Sequence, residues 1–192
     1  MKYSPDMHHR RSIRLKHYNY SQAGAYFVTI CTKDKEWLFG DVINMAMQLN
    51  DMGTAARECW NAISQHCPNV VLDEFIVMPN HIHGIIILNV GAKNLSLLQN
   101  DAKDISAGLN NGISNRAKDI SPLRGTSMTI GSVIRGFKIG VTKWARNNAF
   151  AHTPWQRNYY ERIIRNEPEL FTIREYIINN PLNWEKDENY YK

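Results

Sequence analysis

Two apolar, strand-like runs, Val70–Met78 and Ile82–Leu88, stand on either side of a Pro79–Asn80 step. Both are rich in β-branched residues and too short for an ordinary helix, and proline followed by asparagine is turn chemistry. The chain must therefore set two strands side by side through a hairpin or a tight strand connection. No apolar run is longer than Ile85–Leu88, far below the roughly 18–20 residues that cross a bilayer. This excludes a membrane span.

Other elements group around that pair. Tyr26–Thr32 follows Gly24 and is dense in aromatic and β-branched residues, which reads as a first strand. Met52, Ala56, Cys59, Trp60 and Ile63 recur at helical steps, with Asn50 or Asp51 able to cap and Pro68 beyond the end. Ile130, Val133, Ile134, Phe137, Val141 and Trp144 form the stripe of a second helix, and Arg135, Lys138, Lys143 and Arg146 fall opposite it. Arg157–Ile164 reads as a further strand. Pro168–Asn180 reads as a third helix, with Asn166 and Glu169 in capping-box spacing and Pro181 as its stop. The order β-α-β-β-α-β-α is that of an α+β, ferredoxin-like or RRM-like sandwich. In it an antiparallel sheet carries helices on one face and leaves the other for a site.

With 192 residues, 43% hydrophobic and 21% charged, the chain fits one globular domain spanning 1–192. Residues 89–127, rich in Asn, Gly, Ser, Ala and Asp, read as an inserted flexible loop. The N-terminus leads into charge and not into an apolar signal core. Three cysteines, Cys31, Cys59 and Cys67, without a CxxC pair fit a reducing cytoplasm and core positions. The net charge of +5 is modest, but Arg10, Arg11 and Arg14 crowd a basic segment over residues 1–20. Such a cluster fits a polyanionic partner or a solvated terminus.

Chemistry concentrates at two places. In His81-Ile82-His83 the alternation of a strand turns both imidazoles to one face, roughly 6–7 Å apart along the backbone, which is metal-ligand geometry. Gly84 beyond the pair leaves room for a substrate backbone to approach. Tyr176 and Asn180 lie one helical turn apart, at the margin of the stripe Leu170, Ile173 and Ile177. A phenol and an amide oxygen there can meet one partner, although a core-edge tyrosine and a C-cap asparagine fit the same positions. Tyr159 and Tyr160 are rival phenols. As neighbours on a strand they point to opposite faces, so only one can approach the histidines.

Taken in order, the blocks Arg10–Arg14, Tyr26–Thr32, Met78–His83, Gly131–Lys138, Trp155–Tyr160 and Tyr176–Pro181 resemble the single-tyrosine HUH transposases, and most closely the REP-associated tyrosine transposases. The resemblance covers roughly residues 10–185 apart from the loop. It implies that His81, His83 and Asn180 hold a divalent metal ion, Mg²⁺ or Mn²⁺. Many members of the family carry Gln where this chain has Asn180, and the REP-associated branch carries Asn. It further implies that Tyr176 attacks a phosphate of single-stranded DNA, often next to a hairpin, giving a 5′-phosphotyrosine and a free 3′-hydroxyl. Arg10, Arg11, Arg14, Arg135, Lys138 and Arg157 are the expected DNA contacts, and a monomer or a homodimer is expected. Two alternatives share the sequence pattern. One is a catalytically silent RRM-like nucleic-acid-binding module; the other is a metal-dependent hydrolase in which water attacks.

Overall fold

A computed structural model of the chain describes residues 23–89, 129–150 and 152–190. Arg10, Arg11 and Arg14, with the whole 1–20 segment, and the 89–127 stretch apart from Asn89, lie outside the described residues. In chain order the elements are β1 (Gly24–Cys31), β2 (Gly40–Ile43), β3 (Ala46–Leu49), α1 (Asp51–Asn61), the single turn α2 (Ile63–His66), β4 (Val70–Val77), β5 (His81–Leu88), α3 (Ile130–Asn147), β6 (Tyr160–Ile164) and α4 (Glu167–Ile178). Two 3₁₀ segments, Lys33–Lys35 and Pro181–Lys186, complete them.

All eight residues of β5 are buried, as expected of a central strand covered on both faces. It pairs antiparallel with β4 on one side and with β1 on the other, and β6 pairs antiparallel with β1, giving the order β4-β5-β1-β6. The Pro79–Asn80 step is a hairpin, with Val77 opposite Ile82 and the Met78 N–H donating to the His81 carbonyl at 2.8 Å. Thr29 lies opposite both His83 and Tyr160, and Cys31 lies opposite His81.

Alternation divides the sheet between two cores. Ile82, Ile86 and Leu88, with Tyr26, Val28 and Ile30, pack against Trp60 of α1 and Ile134, Phe137 and Val141 of α3. Phe27, Ile85, Ile87 and Ile164 face the other way and meet Leu170, Ile173 and Ile177 of α4. Burying each of these α4 side chains contributes roughly 1.5–3 kcal/mol. The α+β sandwich with its antiparallel sheet is thus as the sequence pattern predicts, with one difference in layering: α4 lies across the second face instead of leaving it bare. His81 and His83 share that second face, just beyond the C-terminal end of α4.

The sequence gives no sign of β2 and β3. Each has four residues, too few for a period, and their turn, Asn44–Met45, has positive φ at both residues (52° and 60°) without the glycine that marks such hairpins. The α1 cap forms as expected, Asn50 Oδ1 accepting from the Gly53 N–H at 2.9 Å. At α4 only half of the expected capping box forms. Asn166 accepts from the Glu169 N–H at 2.9 Å, but the Glu169 carboxylate accepts from the Arg165 N–H and pairs with Arg162 at 2.6 Å. Pro181 ends α4 by opening a 3₁₀ helix that carries the chain back towards the histidines.

Gly84 corrects the sequence expectation. It faces α1, away from the histidines, and a Cβ there would lie 2.3 Å from Trp60 Cζ2, so its missing side chain makes room for the indole and not for a substrate. Cys59 is buried in the core, while Cys31 and Cys67 are only partly buried, and all three are free thiols. Among the described residues no helix is long and apolar enough to cross a membrane.

Candidate active site

His81 and His83 lie side by side on β5 with ring centroids 4.3 Å apart. Each ring is held at Nδ1. His81 Nδ1 is 2.9 Å from Asn80 Oδ1, and His83 Nδ1 is 2.9 Å from Thr29 Oγ1, its cross-strand neighbour. Phe27 stacks on His83 at 5.3 Å, and Trp184 packs beside His81 at 5.8 Å. The Nε2 atoms are therefore the ones left for chemistry.

Tyr176 arrives from the last turn of α4, which is docked by its apolar stripe and by a two-bond fork from Arg174 to Asp73 on β4, at 2.9 and 2.7 Å. The Tyr176 hydroxyl lies 3.2 Å from His83 Nε2 and donates to Asp187 Oδ2 at 3.3 Å. Asn180 Nδ2 donates to the same carboxylate oxygen at 3.0 Å. Its amide oxygen is thereby aimed away from Asp187, and it is buried without a hydrogen-bond partner among the described residues. His81 Nε2 is likewise buried and unpartnered.

Asp187 is the residue that the sequence pattern did not single out. It follows the 3₁₀ helix Pro181–Lys186, whose Trp184 is buried against Trp37, His81 and Tyr190. Proline after Asn180 reads locally as an end of structure, so a carboxylate seven residues on carries no periodic signal. Ligand atoms of His81, His83 and Asp187 lie within 4.8 Å of one another. These residues form a group able to hold a metal ion.

Electrostatics fit that role. Burial, with Lys35 nearby, lowers His81 to about 3. Burial and the neighbouring His81 hold His83 well below its ordinary value. Both imidazoles are neutral at pH 7, as ligands must be. Burial raises the Tyr176 phenol above its ordinary value, and the Asp187 charge raises it further, so the free chain keeps this phenol protonated. Two neutral imidazoles, a carboxylate and the unpartnered Asn180 amide oxygen form a mixed nitrogen and oxygen set that suits a borderline or hard divalent cation. The residues present therefore fit a metal.

Beside the histidines a cavity of about 860 Å³ is lined by Phe27, Thr29, His83, Tyr160, Tyr176 and Asn179, among others. The two adjacent phenols separate as alternation requires. Tyr160 faces this cavity, whereas Tyr159 packs against the α1–α3 core and donates to Glu161 Oε2 at 2.8 Å. Tyr176, and not Tyr160, is hydrogen-bonded to His83. The three expected basic contacts among the described residues, Arg135, Lys138 and Arg157, do not line this cavity. Arg135 is exposed on α3, behind the sheet from the histidines, and Arg157 is exposed ahead of β6. Lys138, lowered to about 8 by burial, donates to the Gln156 carbonyl at 3.0 Å and to that of Asn158, and sits 5.7 Å over the Trp155 ring. The cations lining the cavity are Arg162, paired with Glu169 at 2.6 Å, and Lys186.

No family model matches the chain. An uncharacterized protein of Haemophilus influenzae is 50% identical over 189 residues, covering 98% of this chain and 97% of its own. The chain belongs to that protein's family. Among solved structures, a REP-associated tyrosine transposase bound to a REP hairpin is similar over 91% of this chain and 74% of its own, with a TM-score of 0.53 and 18% identity. The fold is that of a REP-associated tyrosine transposase. A protein described as a transposase of Deinococcus radiodurans R1 is a looser match, covering 88% of this chain and 97% of its own with a TM-score of 0.41 and 12% identity. In this transposase fold the chain places a His-Ile-His strand, a tyrosine-bearing helix and a returning carboxylate at one end of one sheet face.

Proposed function

We propose that the protein is a divalent-metal-dependent tyrosine transposase that cleaves and rejoins single-stranded DNA, with Tyr176 as its nucleophile. The observation that carries this reading is the Tyr176 hydroxyl at 3.2 Å from His83 Nε2, beside the unpartnered His81 Nε2 and Asn180 Oδ1. His81, His83, Asn180 and Asp187 would hold Mg²⁺ or Mn²⁺, which when bound polarises a non-bridging oxygen of the scissile phosphate and offsets the charge of the displacement. The Tyr176 oxygen forms a bond to phosphorus as the bond to the 3′ oxygen breaks, leaving a 5′-phosphotyrosine and, once that oxygen is protonated, a free 3′-hydroxyl. Asp187 Oδ2, at 3.3 Å, accepts the phenol hydrogen bond and gives its proton a first destination on the chain. The covalent intermediate keeps the phosphodiester available for rejoining to a second 3′-hydroxyl.

Tyr176 and His83 meet within one chain, which supports action as a monomer. The structural neighbour is bound to a REP hairpin, so a hairpin with a flanking single strand is the substrate to try first. Incubation with Mn²⁺ and a labelled library of such oligonucleotides, followed by a denaturing gel, should show a covalent adduct that Tyr176→Phe lacks. Binding with no adduct across the library would leave a silent nucleic-acid-binding module. Free 5′-phosphate ends without an adduct would mean that water attacks.

A further inference from the structure

We propose that Asn80 is a positioning residue that fixes the tautomer of His81 and keeps its Nε2 lone pair directed at a cation; this rests on the metal site proposed above. Asn80 is fully buried in the turn before β5. Its Nδ2 donates to the Asn189 carbonyl at 2.8 Å and to the Lys35 carbonyl at 3.2 Å. Both partners are acceptors only, so the amide cannot be turned round without setting its oxygen against two others. Oδ1 is thereby committed to His81 Nδ1 at 2.9 Å. An amide oxygen cannot donate, and the proton of that contact must sit on Nδ1. A second proton on Nε2 would be buried without an acceptor, since that nitrogen has no partner. The ring is thus neutral, with its lone pair on Nε2 before any cation arrives.

His83 provides the contrast. Its Nδ1 faces the Thr29 hydroxyl, which donates or accepts equally well, so any selection there comes from the Tyr176 hydroxyl at Nε2 and not from the group at Nδ1. The backbone of Asn80 is also held, its carbonyl accepting from the Thr32 N–H and the Thr32 hydroxyl, both at 2.9 Å. The turn is therefore fixed from the end of β1, and the side chain from Lys35 and Asn189.

The metal-free full chain, ¹⁵N-labelled at histidine and assigned with a His81→Gln variant, reports the tautomer directly in long-range ¹H–¹⁵N spectra. His81 should carry its proton on Nδ1 in the native chain and should become a mixture in Asn80→Ala. Calorimetric titration with Mn²⁺ should show affinity falling about 10–100-fold in Asn80→Ala. A native spectrum with His81 protonated on Nε2 overturns the proposal, whether or not the variants fold. So does an Asn80→Ala chain that keeps both the native tautomer and the native Mn²⁺ affinity. If the tautomer is as stated but no DNA adduct forms, the catalytic reading fails and the role of Asn80 stands.

Discussion

The Tyr176 hydroxyl and His83 Nε2 are 3.2 Å apart although 93 positions separate them in the chain. One comes from a helix laid across the sheet and the other from the central strand beneath it. Their meeting turns two unremarkable sequence features into one site.

Tyr160 faces the same cavity as Tyr176 but has no hydrogen bond to a histidine among the described residues. Tyr176→Phe should abolish the covalent DNA adduct, while Tyr160→Phe should retain it. The denaturing gel distinguishes them, and an adduct that survives in Tyr176→Phe and is lost in Tyr160→Phe would reassign the nucleophile.

Among the described residues Asp187 is the carboxylate grouped with His81 and His83, and it orients Asn180 through a 3.0 Å bond. Asp187→Asn removes the charge at nearly constant volume. Mn²⁺ affinity by calorimetry should drop by about tenfold or more, with little change in the unfolding midpoint of the metal-free chain.

His81 sits at about 3 in the folded chain against an ordinary 6.5, because burial disfavours its charged form. As pH falls below 6.5 the unfolded chain takes up the proton first, so stability is lost progressively from 6.5 down to about 3 and is unaffected above. The full effect is on the order of a few kcal/mol. Urea midpoints measured in chelator should fall more steeply with acid for the native chain than for His81→Gln. Equal slopes would contradict the buried, neutral imidazole.

The fork between Arg174 and Asp73 ties α4 to β4, and Asp73 is nearly buried. Arg174→Lys keeps the charge but not the paired geometry. The rate of adduct formation should fall, since Tyr176 sits two residues on, while Mn²⁺ affinity should change far less. A rate equal to the native one would show that the apolar stripe alone places the helix.

Gly84→Ala sets a methyl group against Trp60, with 2.3 Å available to Cζ2. Chemical denaturation should show a loss of about 1–3 kcal/mol, with the tautomers of both histidines unchanged, because the added atom lies on the opposite face.

Much of this was legible in the sequence because its signals are local. Alternation puts His81 and His83 on one face of β5 whatever surrounds the strand, and a four-residue step puts Tyr176 and Asn180 on one side of a helix. The same two periods identify the apolar stripes of α1, α3 and α4. Short elements escaped because a period needs length, as β2 and β3 show.

What the sequence determined by itself was therefore which side chains travel together: the two histidines, the tyrosine with its asparagine, the stripes that must be covered. Only the tertiary structure decided what each pair meets. A strand's period does not say which face receives α4, so neither the contact between Tyr176 and His83 nor the packing of Gly84 against Trp60 follows from it. Asn80 is held by Lys35 and Asn189, distant in the chain, and Asp187 reaches the histidines only through the returning 3₁₀ helix, so neither leaves a spacing to read. Their roles depend on directed contacts between buried polar atoms, which exist only once the sheet, α4 and the returning 3₁₀ helix have closed around them.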